Sequence, residues 1–477
     1  MSRACLSSRL LSGLLLATLA AAARADALPD TFVDALSQAG IPLTHVAVVV
    51  QPLDSATPRL SHNAEAALNP ASVMKLVTSF AALDRLGPGY VWTTRVWADG
   101  PVVDGVLDGD LVIQGRGDPT LTLERVWLLQ RELRARGVRH VRGGLVLDTR
   151  YFDVPPADPG AFDNEPHAPY NTAPGALVAN FNVIPLRLKP TASGVLVVPE
   201  VALPGVALVS RVVATDDAAC NGARRALVPA LETGERTELT VSGHYARSCG
   251  EQTWALSLFE PAATFDLVFR GLWQESGGTL AGATVAGIAP AGEPLLAFAS
   301  EPLPVALTRL NKFSNNLMTR NLFLTLGAEA YGAPATLEKG ARAVRDTLDR
   351  RSVATQKLVL ENGAGLSRIE RISAQALTQL LRAAHASPWF PEFAASLPIV
   401  ATDGTLKRRF GGSVLAGQAH LKTGTLRDAS ALAGYVHGAD GRRMSFVLLI
   451  YHANARKAEA AQRALLEWAV NGQTAAR

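Results

Sequence analysis

The sequence has little cysteine, little clustered charge and one short apolar run. It has three cysteines in 477 residues, and charged residues make up 18% with a net charge of +4. Lys and Arg are scattered, which argues against nucleic-acid binding. The nine histidines show neither H-E-x-x-H nor another metal-ligand spacing, so no zinc peptidase and no metal site is expected. Hydrophobic residues at 48% are typical of a globular chain.

The N-terminus predicts a signal peptide over residues 1–25. Arg3 and Arg9 precede an apolar stretch over residues 10–22, and Ala23-Arg24-Ala25 is a small-x-small cleavage site. The stretch is too short to span a bilayer, and no second one follows. We expect an exported, periplasmic protein without a transmembrane helix after cleavage, either free or loosely bound to the membrane. An uncleaved N-terminal anchor is the alternative.

Cys220 and Cys249 are the two cysteines that remain after cleavage. In an oxidising compartment they can form one disulfide, which would close a loop of about 30 residues and stabilise the fold by roughly 3 kcal/mol. Two unpaired thiols are the alternative.

Hydrophobic periodicity predicts a mixed α/β (α+β) fold with an inserted β-rich segment. Residues 26–97 form a first part of a catalytic domain, 98–290 a mainly-β insertion rich in Gly, Pro and Asp, and 291–477 the second part. The elements expected in the two catalytic parts are a strand over 44–53, helices over 72–86, 305–326, 337–350 and 374–385, strands over 419–426, 429–438 and 444–452, and a closing helix over 455–470.

Three short motifs occur in a fixed order. They are Ser72-Val-Met-Lys75, Ser314-Asn-Asn316 and Lys422-Thr-Gly424. The order S-x-x-K, S-x-N, K-T-G is the signature of serine enzymes that open D-alanyl peptides or β-lactams. Each motif alone is a weak signal, since Ser61-His62-Asn63 is a second S-x-N that lies before the nucleophile candidate. The ordered set is specific.

Ser72 and Lys75 are the candidate nucleophile and base. Ser72 begins the predicted helix, where free main-chain N–H groups and the positive helix end can stabilise an oxyanion. Lys75 lies one turn further on the same face. Burial and a neighbouring cation would keep its amine neutral and able to take the Ser72 proton. A capping serine followed by a surface lysine is the alternative for this motif alone.

Ser314 and Asn316 are separated by two positions, so on a turn or a helix entry both can face one cavity. The Ser314 hydroxyl can pass a proton between Lys75 and the leaving amine. The Asn316 amide can orient Lys75 and hold a substrate amide. Ordinary turn and capping chemistry is the alternative for this tripeptide alone.

The third motif lies on a predicted strand. Lys422, Thr423 and Thr425 can bind a terminal carboxylate, and Gly424 lets a ligand approach the backbone. A main-chain N–H of this segment can supply a second oxyanion donor. A solvated lysine on a strand edge is the alternative.

Together these motifs resemble the D-alanyl-D-alanine carboxypeptidase/endopeptidase family, the low-molecular-mass class C penicillin-binding proteins. The gap between Ser72 and Ser314 fits that class better than compact β-lactamases. The resemblance implies the penicillin-binding/β-lactamase-like transpeptidase domain, an antiparallel sheet flanked by helices, with a large insertion after the nucleophile helix. Further segments that are similar to the family are Gly117-Asp-Pro-Thr-Leu121, Asp148-Thr-Arg-Tyr-Phe152, Asn362-Gly-Ala-Gly-Leu-Ser-Arg368 and Asp403-Gly-Thr-Leu406.

By this resemblance Ser72 forms the acyl-enzyme, Lys75 is its base, Ser314 and Asn316 relay the proton, and Lys422 anchors the carboxylate. An acidic group of the insertion is expected to hold the amine of the peptide's diamino acid, with Asp163 or Glu165 in the loop Phe162-Asp-Asn-Glu-Pro166 as candidates. A solvated acidic loop is the alternative for that segment.

The sequence therefore predicts a serine D,D-carboxypeptidase and D,D-endopeptidase that acts on peptidoglycan peptides, needs no cofactor and is acylated by β-lactams. A serine β-lactamase is the first alternative and would release hydrolysed β-lactam rapidly. A non-catalytic peptidoglycan-binding protein is the second and would bind without hydrolysis. The oligomeric state does not follow from the sequence.

Overall fold

The computed structural model describes residues 27–216, 220, 226–234 and 236–472. Within these residues the chain forms helices and strands of both the catalytic and the inserted parts. The helices are α1 (Asp30–Gln38), α2 (Lys75–Leu86), α3 (Leu123–Ala135), α4 (Pro261–Glu275), α5 (Leu303–Phe313), α6 (Asn316–Tyr331), α7 (Leu337–Arg350), α8 (Ala374–His385), α9 (Phe390–Ala395) and α10 (Glu459–Asn471).

The strands form several separate sheets. They are β1 (Val46–Pro52), β2 (Leu60–His62), β3 (Ala67–Leu68), β4 (Thr93–Asp99), β5 (Val102–Val103), β6 (Val106–Leu107), β7 (Asp110–Gln114), β8 (His140–Val141), β9 (Leu145–Asp148), β10 (Ile184–Thr191), β11 (Gly194–Pro199), β12 (Val206–Thr215), β13 (Leu227–Glu232), β14 (Thr237–Ala246), β15 (Gln252–Leu256), β16 (Thr279–Leu280), β17 (Thr284–Ala286), β18 (Leu296–Ala299), β19 (Ile372–Ser373), β20 (Ala419–Thr425), β21 (Ala429–His437) and β22 (Arg443–Tyr451).

The central sheet is antiparallel and has the strand order β2-β1-β22-β21-β20. Both of its faces are covered, and β1 shows how. Ala47 and Val49 of β1 point into a core to which α2 and α5 to α9 contribute. Val46, Val48 and Val50 point into a second core against α1 and α10. Because side chains alternate between the faces of a strand, a continuous apolar run is what a strand buried on both sides requires.

The helix that follows Ser72 has the predicted apolar face. Val73, Leu76, Val77, Phe80 and Leu83 are all buried in the core beneath the central sheet. The start of this helix differs slightly from the prediction. Residues Ala71–Met74 form a 3₁₀ turn, and the α-helix itself begins at Lys75. This buried helix holds the nucleophile candidate at the sheet.

The predicted single helix over 305–326 is wrong, because the structure has two helices there, α5 and α6. Ser314 adopts a left-handed conformation with φ 57 and ψ 40 and ends α5. The side chain of Asn315 accepts a hydrogen bond from the N–H of Met318 and caps α6. The apolar periodicity of the sequence continues through Ser314, so the periodicity could not reveal the break between the two helices. The other helices and strands predicted in the C-terminal part are present within two residues of their expected ends, except that the closing helix begins four residues later.

Where the structure describes it, the inserted part contains several sheets and the two α-helices α3 and α4. The largest sheet has the order β17-β9-β7-β4-β18, with parallel pairs on the β17 side and antiparallel pairs on the β18 side. Helices α3 and α4 pack into the core that these strands share with the three-stranded sheets β11-β10-β15 and β12-β14-β13. The chain enters the inserted part near Trp92 and leaves it near Ser300. The two residues are in contact, since the N–H of Ser300 donates to the carbonyl of Trp92 over 2.9 Å.

A disulfide joins Cys220 and Cys249, whose Cα atoms are 4.9 Å apart. Cys249 follows β14 and is buried in the core of the inserted part. Among the residues that the structure describes, no helix is both long and apolar enough to cross a bilayer.

Candidate active site

The turn that carries Ser72 is held in an unusual backbone conformation. Ala71 has a φ of 46°, in the left-handed region, and is fully buried. Asn69 fixes this turn, because its Oδ1 accepts from the N–H of Ala71 over 2.9 Å and its Nδ2 donates to the carbonyl of Ser367 over 2.8 Å. Strained backbone that its surroundings hold in place is common at reactive side chains.

Lys75 lies directly beneath Ser72. Its Nζ donates to Ser72 Oγ over 3.0 Å and to Asn316 Oδ1 over 2.6 Å. A third hydrogen bond goes to the carbonyl oxygen of Ala364 over 2.5 Å. Lys75 is fully buried, so these three acceptors fix the direction of its amine. The structure thus brings together the first and second motifs at one nitrogen atom.

The surroundings of Lys75 favour its neutral form. Burial lowers the pKa of Lys75 well below its ordinary value, and the cations Lys422 and Arg320 lower it further. The carboxylate of Glu370 opposes this with a smaller rise. When Lys75 is neutral, its two N–H groups donate to Asn316 and Ala364. Its lone pair then faces the Ser72 hydroxyl at 3.0 Å, where it can accept the proton.

Ser314 and Asn316 both reach the pocket from the break between α5 and α6. The left-handed Ser314 presents its hydroxyl to Lys422, and Asn316 begins α6 and points its Oδ1 at Lys75. The Nδ2 of Asn316 donates to the carbonyl of Tyr170 over 2.9 Å. The hydrogen-bond pattern therefore assigns the orientation of the Asn316 amide.

Lys422 lies on β20, the last strand in the order of the central sheet, beside the first two motifs. Its Nζ donates to Ser314 Oγ over 2.8 Å and to the carbonyl of Thr423 over 2.8 Å. Lys422 is fully buried, and burial lowers its pKa to about 7. The hydroxyl of Ser314 thus connects a second amine to the pocket.

The remaining residues of the third motif line the same strand. A Cβ on Gly424 would lie 2.4 Å from the carbonyl oxygen of Pro70 and 3.1 Å from the nitrogen of Ser72. Thr423 is nearly buried, and its Oγ1 lies 2.9 Å from Oγ1 of Thr405. Thr425 is exposed at the end of the strand. The strand and the Ser72 turn are therefore in direct main-chain contact, with hydroxyl groups on either side of Gly424.

Asp163 and Glu165 lie on an exposed loop that is fastened to the pocket. Asp163 Oδ2 accepts from the Tyr170 hydroxyl over 2.9 Å, and its Oδ1 accepts from Asn171 Nδ2 over 2.8 Å. The carbonyl of Tyr170 accepts from Asn316. The side chain of Phe162 in the same loop packs near Ala71 and under the guanidinium of Arg368. Tyr170 thus connects the loop to the pocket through its two ends, since its hydroxyl bonds Asp163 and its main-chain carbonyl bonds Asn316.

Sequence reasoning missed several groups that shape this pocket. The carbonyl of Ala364 has no sequence signal, because any residue supplies one. Glu370, in a loop, is fully buried, and Arg320, on α6, is half-buried; both charges face Lys75, and neither position gave a spacing pattern. The Asn-Pro dipeptide before Ser72 is a turn signal that would have identified Asn69.

The family comparison matches nearly the whole chain. The sequence model of the D-Ala-D-Ala carboxypeptidase 3 (S13) family matches residues 31–471. A D-alanyl-D-alanine carboxypeptidase of Actinomadura sp. (strain R39) is 34% identical over 394 residues, which cover 78% of this chain and 72% of the relative. The D-alanyl-D-alanine carboxypeptidase DacB of Haemophilus influenzae is 26% identical over 387 residues, which cover 80% of each chain.

The structural comparison agrees on the fold. The crystal structure of penicillin-binding protein 4 from Haemophilus influenzae superposes with a TM-score of 0.75 at 23% identity, covering 92% of this chain and 98% of that one. The same protein in complex with a β-lactam superposes with a TM-score of 0.73 at 22% identity, covering 93% and 100%. The predicted penicillin-binding fold, with its antiparallel sheet flanked by helices, is confirmed.

Proposed function

This chain belongs to the D-Ala-D-Ala carboxypeptidase 3 (S13) family and is a serine-type D-Ala-D-Ala carboxypeptidase, and from that premise we propose that Ser72 carries the reaction. The observation that supports this assignment best is the contact between Lys75 Nζ and Ser72 Oγ at 3.0 Å, with the lysine fully buried. A buried amine in that position is a general base for the hydroxyl.

In the proposed first step, Ser72 Oγ attacks the carbonyl carbon of the peptide bond between two D-alanines. Its proton passes to Lys75 Nζ. The oxyanion accepts hydrogen bonds from the N–H of Ser72 and from a main-chain N–H of the K-T-G strand. The left-handed Ala71 and the close approach of Gly424 support this arrangement, because both set the Ser72 N–H against that strand.

In the second step the carbon–nitrogen bond breaks and the terminal D-alanine leaves. Its amine takes the proton that Lys75 holds, by way of the Ser314 hydroxyl. Lys422 supports the relay, because its Nζ donates to Ser314 Oγ over 2.8 Å and orients that hydroxyl. The product is an ester between Ser72 and the shortened peptide.

Water then attacks the ester carbonyl while Lys75 takes one of its protons. Lys75 returns this proton to Ser72 Oγ as the ester bond breaks, and the shortened peptide leaves with a new terminal carboxyl group. Each of these steps uses groups of this chain and water, so we propose that the reaction uses no cofactor or metal. Asn316 holds Lys75 in place in both half-reactions through its Oδ1 at 2.6 Å.

We assign substrate binding to the K-T-G strand and to the Asp163 loop. Lys422 supplies positive charge for the terminal carboxylate, with the hydroxyls of Thr423 and Thr425 beside it. Asp163, with Glu165 as the second candidate, holds the amine of a diamino acid in the third peptide position. The hydrogen bonds of Asp163 to Tyr170 and Asn171 support that choice, because they fix its carboxylate on the loop whose Phe162 packs near Ala71 of the nucleophile turn.

Peptidoglycan stem peptides and their D-amino-acid crosslinks are the proposed substrates, so the enzyme is also a D,D-endopeptidase. We propose that β-lactams acylate Ser72, as bicyclic analogues of the D-alanyl terminus. The 34% identity to a named D-alanyl-D-alanine carboxypeptidase supports the peptide specificity.

We also propose that residues 1–25 are a signal peptide and that the enzyme works in the periplasm, free or loosely bound to the membrane. That segment lies outside the described residues. The chain divides into a catalytic domain of two parts around an inserted domain. The hydrogen bond between the main chains of Trp92 and Ser300 supports this division, because it joins the chain where it enters the inserted domain to the chain where it leaves that domain.

Intact-mass measurement with a fluorescent penicillin tests the proposal. We expect the wild type to gain one adduct that persists, and Ser72→Ala and Lys75→Ala to gain none. Ser79→Ala is a matched control, because Ser79 is a buried serine of the same helix whose hydroxyl lies against Asn311. It is expected to label like the wild type.

The outcomes separate the alternatives. Rapid loss of the adduct with release of hydrolysed penicillin would indicate a serine β-lactamase. Binding of peptidoglycan that is unchanged in Ser72→Ala, with no peptide hydrolysis by the wild type, would indicate a non-catalytic binding protein. Labelling of Lys75→Ala at the wild-type rate would mean that another group is the base.

A further inference from the structure

The loop over residues 361–365 touches the side chain of Lys75 and the main chain of the turn that carries Ser72. The carbonyl of Ala364 accepts a hydrogen bond from Lys75 Nζ. A Cβ on Gly365 would lie 1.8 Å from the carbonyl oxygen of Ala71 and 2.7 Å from the nitrogen of Ser72. Gly365 has a φ of 80°, in the left-handed region. Small movements of this loop would therefore displace the base and the nucleophile turn together.

Glu370 holds this loop from inside the protein. Its side chain is fully buried. Its Oε1 accepts from the N–H groups of Glu361 at 3.1 Å, Asn362 at 3.0 Å and Gly363 at 2.7 Å. Its Oε2 accepts from the N–H of Gly365 at 2.9 Å. Four main-chain donors on one carboxylate fix the loop on both sides of Ala364.

We propose that Glu370 is a positioning residue for the hydrolysis. Its carboxylate fixes loop 361–365, and through that loop it holds the Ala364 carbonyl against Lys75 Nζ and the Gly365 backbone against the Ser72 turn. The inference rests on the proposed roles of Ser72 and Lys75. Glu370 acts through the main chain, because the three hydrogen bonds of Lys75 go to Ser72, Asn316 and Ala364.

The charge of Glu370 gives this role a separate signature. The charged groups that face Lys75 are the cations Lys422 and Arg320 and the Glu370 carboxylate, and Arg320 also faces Glu361. Arg320 donates to the carbonyl of Thr172 over 2.7 Å. Because the Glu370 carboxylate raises the pKa of Lys75, its removal lowers that pKa further. The pH at which Lys75 becomes a neutral base then falls.

Burial itself raises the pKa of Glu370, and the four N–H donors oppose the rise because they stabilise the carboxylate. Four main-chain N–H donors at its two oxygens favour the ionised side chain.

Two variants separate position from charge. Glu370→Gln places an NH₂ group against a main-chain N–H and also removes the charge. Glu370→Asp keeps the charge on a side chain one methylene shorter, which cannot reach all four donors. Asp148→Asn is the matched control, since Asp148 is a buried carboxylate of the inserted part that accepts main-chain N–H bonds from Ala289 and Arg150.

The experiment measures the rate of acylation of the full chain by a fluorescent penicillin as a function of pH, with thermal unfolding as a check on folding. We expect Glu370→Gln to be acylated about tenfold to a hundredfold more slowly. Its acid limb, the part of the pH–rate profile over which acylation rises as Lys75 loses its proton, is expected to move to lower pH. Glu370→Asp is expected to slow acylation with its acid limb near that of the wild type. Asp148→Asn is expected to keep both the rate and the limb.

Acylation of folded Glu370→Gln and Glu370→Asp at the wild-type rate, with an unmoved acid limb, would overturn the inference. If Glu370→Gln does not fold, the rate of Glu370→Asp decides: a slowed rate supports the inference and a wild-type rate overturns it. If the wild type shows no labelling of Ser72, the proposed function is overturned instead. The wild-type sample alone gives that result, so it is distinguishable from a failure of the inference on Glu370.

Discussion

Gly424 lies against the main chain of Ser72, with room for a hydrogen and no room for a methyl group. A Cβ at this position would be 3.1 Å from the nitrogen of Ser72 and 2.4 Å from the carbonyl oxygen of Pro70. The K-T-G strand therefore contacts the backbone of the nucleophile turn, and the two proposed oxyanion donors keep a fixed spacing only while residue 424 lacks a side chain.

Replacing Gly424 with alanine is expected to slow acylation about a hundredfold, because the overlap moves the strand away from Ser72. The measurement is the rate of fluorescent-penicillin labelling of the purified variant. Gly411→Ala is the control, because a Cβ there meets no atom within 4 Å. Equal labelling rates for the two variants would show that the strand tolerates the displacement.

Asn69 is expected to affect both stability and rate. Asn69→Ala leaves the buried N–H of Ala71 without its acceptor, so the free energy of unfolding should fall by about 1–3 kcal/mol. Acylation should slow by roughly tenfold, because the left-handed turn before Ser72 loses its support. Denaturant unfolding and penicillin labelling measure the two effects.

Asn63→Ala is a suitable comparison for that variant. Asn63 has a left-handed backbone, as Ala71 does in the turn that Asn69 holds, and its amide donates to the carbonyls of Leu43 and Val46. This variant should lose stability and keep its acylation rate. A parallel loss of rate in both variants would mean that lowered stability, not the Ser72 turn, explains the effect of Asn69.

Lys75 and Lys422 should each give a separate pH dependence, Lys75 in the rate of acylation and Lys422 in KM. Acylation is expected to rise with pH as Lys75 loses its proton, along a limb well below the ordinary lysine value, because burial and two cations lower its pKa. The pKa of Lys422 is about 7, so above that pH its positive charge is lost. The KM for a D-Ala-D-Ala peptide should therefore rise as the pH increases beyond about 7.

A peptide whose terminal carboxylate is converted to an amide is the control for the Lys422 effect. Steady-state kinetics on both peptides across neutral and alkaline pH separate kcat from KM. The alkaline rise in KM should be absent for the amide. The same rise for both peptides would assign it to another group.

Asp163 should determine preference for a free amine in the third peptide residue. Asp163→Asn is expected to lower kcat/KM about tenfold for a peptide with that amine, since a charged hydrogen bond is lost. A peptide with the amine acetylated should show no such difference between wild type and variant. Glu165→Gln tests the second candidate in the same assay, and an effect there alone would transfer the role to Glu165.

The three motifs predicted side chains that the structure brings together, and their roles in the reaction stay predictions. Lys75 contacts Asn316, and Lys422 contacts Ser314, although each pair is more than a hundred residues apart in the sequence. The helix break at Ser314 was missed, because apolar spacing runs through it. The capping residue Asn315 carries the local signal, since asparagine before an apolar run is typical of a helix start.

The groups that act through the backbone could not be predicted. The Ala364 carbonyl contacts Lys75 independently of the residue type at that position. Glu370 is a single acidic residue in an ordinary-looking segment, and its importance depends on burial beneath a loop that only the fold brings to Ser72. The parallel pairs of the inserted sheets also carry no local signal, because parallel partners are joined by long connections.

The pairing of β1 with β22 couples the two ends of the chain during synthesis. Residues 46–52 lie beside residues 443–451 in the central sheet, and α1 packs on α10. β1 pairs with β2 soon after both are made, but its second neighbour, β22, is made only when almost the entire polypeptide has been synthesised. A chain cut short before residue 443 would leave that edge bare and the pocket open, so a truncated product is expected to be inactive and prone to aggregation.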